Sequence, residues 1–168
     1  MSKLFVDDIV EKTSGHGVSI PGHVVQVLNT AFNTQAATTS QTPSATGLQQ
    51  AITPKFANSR LVVTVHLPAV YFQATARHMY WTVYRDVAGG GYANIGLGSG
   101  KGIGLSSANT GGGNNWGGQS GLIEDTGRAS NTSVYNYRVY IKNGSQGAID
   151  YIAEGNTTNS IIVEEISV

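Results

Sequence analysis

Apolar and polar positions alternate with a period of two along much of this chain. In Arg60-Leu61-Val62-Val63-Thr64-Val65-His66-Leu67, positions 61, 63, 65 and 67 are all apolar, while Thr64 and His66 fall on the opposite side. Such alternation predicts a strand with one buried face. The same spacing puts Met79, Trp81 and Val83 inward in the run 79–85, and Tyr135, Tyr137, Val139 and Ile141 on one side of 134–141. Asn143-Gly144 then follows an alternating run, the composition of a type I′ turn, so 148–153 is expected to return along that strand as a hairpin. Gly22 to Leu28 and Gly47 to Thr53 are further strand candidates, with the Thr/Ser/Gln-rich stretch 33–46 expected between them as an exposed loop. The run Ser160 to Val168 is β-rich and is expected to end the chain inside a strand. No segment carries apolar residues at i, i+3, i+4 and i+7 over three turns. The expected fold is therefore all-β: an antiparallel β-sandwich, jelly-roll-like, formed as a single domain by residues 21–168 behind a short N-terminal arm, residues 1–20.

Composition narrows the function. The 168 residues, 40% of them hydrophobic, suffice for one core. Gly, Ser, Thr and Asn supply 65 residues, and charged residues only 12%, about half the usual ~25%. Hydroxyls and amides must cover the surface, and weak charge repulsion favours self-association. Ten basic residues balance ten acidic ones, which removes the basic footprint of a nucleic-acid partner. The absence of cysteine excludes disulfides, thiolate zinc sites and a thiol nucleophile. No apolar run approaches the ~20 residues of a membrane span, and MSKLFVDDIVEK has neither a secretory nor a transit pattern. A soluble protein without a membrane partner is expected.

Several motifs invite chemistry and fail on spacing. In Gly96 to Gly104, Gly100-Lys101 is followed by Gly102 instead of Ser or Thr, and Gly96 stands one residue too close for a phosphate loop. The dinucleotide pattern GxGxxG also fails at every start, so these glycines read as a tightly packed strand or a subunit contact. Ser120 lacks the final glycine of a nucleophile elbow, and Glu124-Asp125 would point to opposite faces of a strand, a poor acid/base pair. His16 and His23, with Asp7 and Asp8 nearby, read as turn and surface residues more readily than as metal ligands. His66 and His78 read as hydrogen-bonded residues of strand faces. Asn131, Asn143 and Asn156 meet the glycosylation spacing but read as turns. Asn114, Asn115 and Trp116 sit in a Gly-rich loop, where the indole could contact a sugar or a protein, or fold back to cap the sandwich. No enzyme activity, cofactor or metal is expected.

Four segments in order resemble a family of tailed-bacteriophage virion proteins: Leu4 to Lys12, Ile20-Pro21-Gly22-His23-Val24-Val25-Gln26-Val27, Ala45 to Pro54 with its Gly47-Leu48 and Ile52-Thr53-Pro54, and Asn58 to Val63. Asn159 to Ile166 is similar to that family's last strand, while 73–131 shows no likeness. The resemblance implies a virion structural protein, a β-sandwich that assembles as a homotrimer, found either as a head decoration (cement) protein or in a tail-fibre tip. The family pattern begins at residue 3 with no shaft before it, which favours decoration of the outer capsid surface by a protein made in the host cytoplasm. On this reading the partners are further copies of the chain and the major capsid protein. Leu4, Phe5, Val6 and Ile9 would dock on the capsid by strand addition, or else complete the protein's own sheet. The alternative is a tail component that binds a host receptor or surface glycan through Trp116, Asn114 and Asn115.

Overall fold

A computed structural model of the protein describes Val10 and residues 20–72, 78–96, 104–107, 115–144, 150–152 and 157–168. Every regular element among them is a strand: β1 (Val24–Phe32), β2 (Ala36–Thr38), β3 (Ser44–Ile52), β4 (Arg60–Phe72), β5 (His78–Val87), β6 (Ala93–Asn94), β7 (Gly104–Ser107), β8 (Asn115–Glu124), β9 (Tyr135–Asn143), β10 (Asp150–Ile152) and β11 (Asn159–Ile166). They form two antiparallel sheets. In sheet A, β4 is the hub: β8 runs along one edge, while β11 pairs with Arg60–His66 and β10 with Val70–Phe72 on the other. β1 flanks β11, and β2 flanks β10. Sheet B runs β3-β9-β5, with β6 and β7 end to end on the far edge of β5. Numbered by chain order, the eight longest strands run 1-8-3-6 in one sheet and 2-7-4-5 in the other. That order is a jelly-roll β-sandwich.

The alternating residues meet between the sheets. Leu61, Val63, Val65 and Leu67 of β4 and Ile161 and Val163 of β11 face Met79, Trp81, Val83, Tyr135, Tyr137, Val139 and Ile141 of β5 and β9, with Leu48 and Ile52 of β3 beside them, all buried. Each such side chain contributes about 1.5–3 kcal/mol on burial. The two core tyrosines keep their hydroxyls satisfied: Tyr135 reaches Ala129 O and Asn131 Oδ1, and Tyr137 donates to Asp125 Oδ2 at 2.7 Å.

Three sequence expectations need correction. Residues 33–46 are not a plain exposed loop, because Ala36–Thr38 pairs with β10, and Thr38 and Thr46 are buried. Thr46 Oγ1 donates to Val139 O at 2.9 Å, which is how a hydroxyl is accommodated there. Asn143-Gly144 does not open a β9–β10 hairpin. Asn143 N bonds Ser40 O and Gly144 N bonds His78 O, both at 2.7 Å, and β10 pairs in sheet A instead. The last strand ends at Ile166, two residues before the chain does.

Candidate functional site

Of the residues singled out for docking or recognition, Leu4, Phe5, Val6, Ile9 and Asn114 lie outside the described residues, as does His16. Asn115 and Trp116 belong to β8, paired with Phe72 and Tyr71, so the Gly-rich loop gives way to strand from Asn115 onward. Of the glycine run 96–104, only Gly96 and Gly104 are described, Gly104 opening β7. Glu124 and Asp125 do diverge: Glu124 meets Arg60 at the surface, while Asp125 is buried against Arg85 Nη1 at 2.6 Å. Among the described residues, no three His, Asp or Glu side chains gather as a metal set, and no helix is long and apolar enough to cross a membrane.

What the fold builds instead is two outer faces. On sheet A, pairing aligns Val27, Glu164, Val62 and Glu124 across β1, β11, β4 and β8, and Asn29, Ile162, Thr64 and Leu122 in the next row. Val24, Val27 and Leu122 are 45%, 53% and 63% exposed, and Ile162 and Ile166 lie half-buried between the flanking strands. The sequence signal is a set of apolar doublets, Val62-Val63, Leu122-Ile123 and Ile161-Ile162. Strand side chains alternate, so a doublet must present one apolar group to each side. Arg60 Nε and Nη2 donate to the two Glu124 carboxylate oxygens, each at 2.7 Å, and this fork holds the Glu124 carboxyl below its ordinary range. Two rows on from Glu124, His66 Nδ1 lies 2.5 Å from Ser120 Oγ.

The outer face of sheet B is aromatic and cationic. Pairing sets Tyr80 opposite Lys142, Thr82 opposite Tyr140, and Tyr84 opposite Arg138. The Tyr84 and Tyr140 rings stack with centroids 4.0 Å apart, and Lys142 Nζ stands 5.1 Å from the Tyr80 centroid. Tyr92 is brought in by the turn after β5, where Ala88 has φ 51° and Gly89 φ 81°. Asp86 fixes that turn by accepting from Gly91 N at 2.7 Å and Gly89 N at 3.2 Å. Tyr92 then lies under the Arg138 guanidinium, 4.3 Å from its carbon, and Arg138 Nε donates to Gln49 Oε1 at 2.7 Å. Burial pushes the Tyr92 hydroxyl pKa up. A small crevice of about 20 Å³ is lined by Tyr80, Tyr140, Pro43, Asn94 and Lys142.

No known protein family matches the chain, and no curated protein does. Among solved structures, one similar chain comes from the structure of infectious bursal disease virus, Gx strain, with 10% identity and a TM-score of 0.37. The alignment covers 86% of this chain and a third (33%) of the length of that one.

Proposed function

We propose that the protein is a structural component of a tailed-phage virion, a decoration protein that assembles as a homotrimer and covers the outer head surface. The observation that carries it is the jelly-roll sandwich whose sheet A exposes Val24, Val27 and Leu122 on a four-stranded outer face that also carries Glu164, Asn29, Thr64 and the Arg60–Glu124 pair. A face that mixes exposed apolar side chains with polar ones suits protein association, and a second copy of the chain is its occupant. Placement on a phage particle draws on the sequence resemblance at residues 4–63 and 159–166. The role is structural, without catalysis or cofactor, and its partners are its own copies and the major capsid protein, with the arm around Leu4, Phe5, Val6 and Ile9 as one point of attachment. Contacts from several subunits combine by avidity, so weak individual contacts suffice to hold a head against internal pressure.

Quantitative mass spectrometry of purified particles tests the assignment. Hundreds of copies per particle are expected. Tens or fewer would move the protein to the tail, where binding of a host receptor or surface glycan becomes the role, and absence from particles would overturn a virion role altogether.

A further inference from the structure

We infer that the outer face of sheet B is a docking surface for an acidic protein surface. Under the decoration reading, on which this inference rests, that surface belongs to the capsid. Three observations carry it. First, Tyr80, Tyr84, Tyr92, Tyr140 and Arg138 gather the residue types that dominate binding energy at interfaces, already held rigid by ring stacking and cation–π contacts, so little side-chain freedom remains to be lost on association. Second, whereas the core tyrosines have bonded hydroxyls, none of these four bonds a described residue through its hydroxyl.

Third, the charges are unbalanced. The two ion pairs among the described residues are Arg60–Glu124 and Arg85–Asp125, so neither Arg138 nor Lys142 is matched by a described carboxylate. Asp86, the acidic residue on the same face of β5, accepts from the Gly89 and Gly91 amides and keeps its charge, so the described residues leave two cations against one carboxylate on this face. Arg138 and Lys142 are four residues apart on β9, about 13 Å along a strand, a spacing that a pair of carboxylates on a facing surface can span. A sugar ring fits this face less well. It would need an open aromatic face, and Tyr84 is covered by Tyr140, Tyr92 by Arg138, and Tyr80 by Lys142.

The test adds purified full-length protein to phage heads that lack it and measures bound copies against concentration, at salt from about 0.05 to 0.5 M, a range over which exposed charge contacts are progressively screened. Wild-type protein is expected to saturate the heads, with affinity falling as salt rises. R138E/K142E and Y84A/Y140A should each bind at least tenfold more weakly while keeping the wild-type circular dichroism and oligomeric mass. Arg138 and Lys142 lie half-buried on the outer face and outside the core, so the charge-reversal pair decides the matter if the tyrosine pair fails to fold. Wild-type binding that is matched by R138E/K142E and indifferent to salt overturns the inference and leaves the decoration reading standing. Failure of the wild-type protein to bind at all overturns the decoration reading, and the capsid assignment falls with it.

Discussion

At the scale of single residues, the most constrained charge is Glu165, a buried carboxylate in β11. Its oxygens accept from Gln26 Nε2 and Ser59 Oγ at 2.6 Å, and from Lys55 N and Phe56 N at 2.9 Å. Burial alone would push this carboxyl up, but the four hydrogen bonds outweigh it and hold the pKa below the ordinary value. A carboxylate in that state ties the connection between β3 and β4 to the end of sheet A. Its contribution is complete above the unfolded-state pKa of about 4.3 and is lost as pH falls through the lower folded value. E165A should therefore cost about 3 kcal/mol at neutral pH, with E165Q costing less because its amide oxygen still accepts. Denaturant titrations at neutral pH and near pH 3 check this: wild-type stability drops across the interval, whereas E165Q changes less. Nothing in the sequence marked Glu165. It falls on the inward side of an alternating strand, where a glutamate reads as a pattern break until its partners, between 106 and 139 residues earlier in sequence, are in place.

At the scale of elements, legibility followed the contrast between the two faces of each strand. β4, β5 and β9 bury alternate apolar side chains, so a period of two found them, with Trp81 inward and Tyr135 and Tyr137 on one shared side, while β11 was legible from its β-rich composition. β8 begins Asn115-Trp116-Gly117-Gly118, a composition in which loop and strand look alike, and only pairing with β4 decides between them. The expected β9–β10 hairpin failed because Asn-Gly describes a local turn preference, and here the bonds to Ser40 and His78 override it. The sheet faces were half legible: alternation gives which tyrosines point outward, but not that the β5–β6 turn folds Tyr92 onto Arg138. Gly144 shows how tight the end of sheet B is. A Cβ there would stand 2.7 Å from the Tyr80 ring and 3.0 Å from the His78 carbonyl oxygen. The ring can swing away but the backbone oxygen cannot, so G144A should destabilise by about 1–3 kcal/mol, the range for overpacking, read as a lower urea midpoint. Y80A should relieve only part of that loss.

At the scale of the whole molecule, the two sheets present different chemistry outward, and each face can be disabled separately. L122E replaces an exposed apolar side chain on the outer face of sheet A with a charge. Light scattering at micromolar concentration should then give a monomer mass where the wild-type protein gives a trimer, with an unchanged β-type circular dichroism spectrum. A wild-type monomer would rule out sheet A as a self-contact. Deleting residues 2–12 tests the arm: the truncated protein should keep its trimer mass and bind heads more weakly, and full binding would place attachment elsewhere. The pairing of the first strand with the last has its own consequence. Val24 lies opposite Ile166, and Gly22 N bonds Ser167 O while Ser167 N bonds His23 O. The sandwich thus enters and leaves at one corner, so a short linker can join residues 22 and 167, and new ends can be opened in the Gly89–Gly91 turn without breaking a strand. A circularly permuted chain of that design would carry any fused cargo out through the β5–β6 corner rather than the original one, which turns this protein into a scaffold whose display direction is a choice.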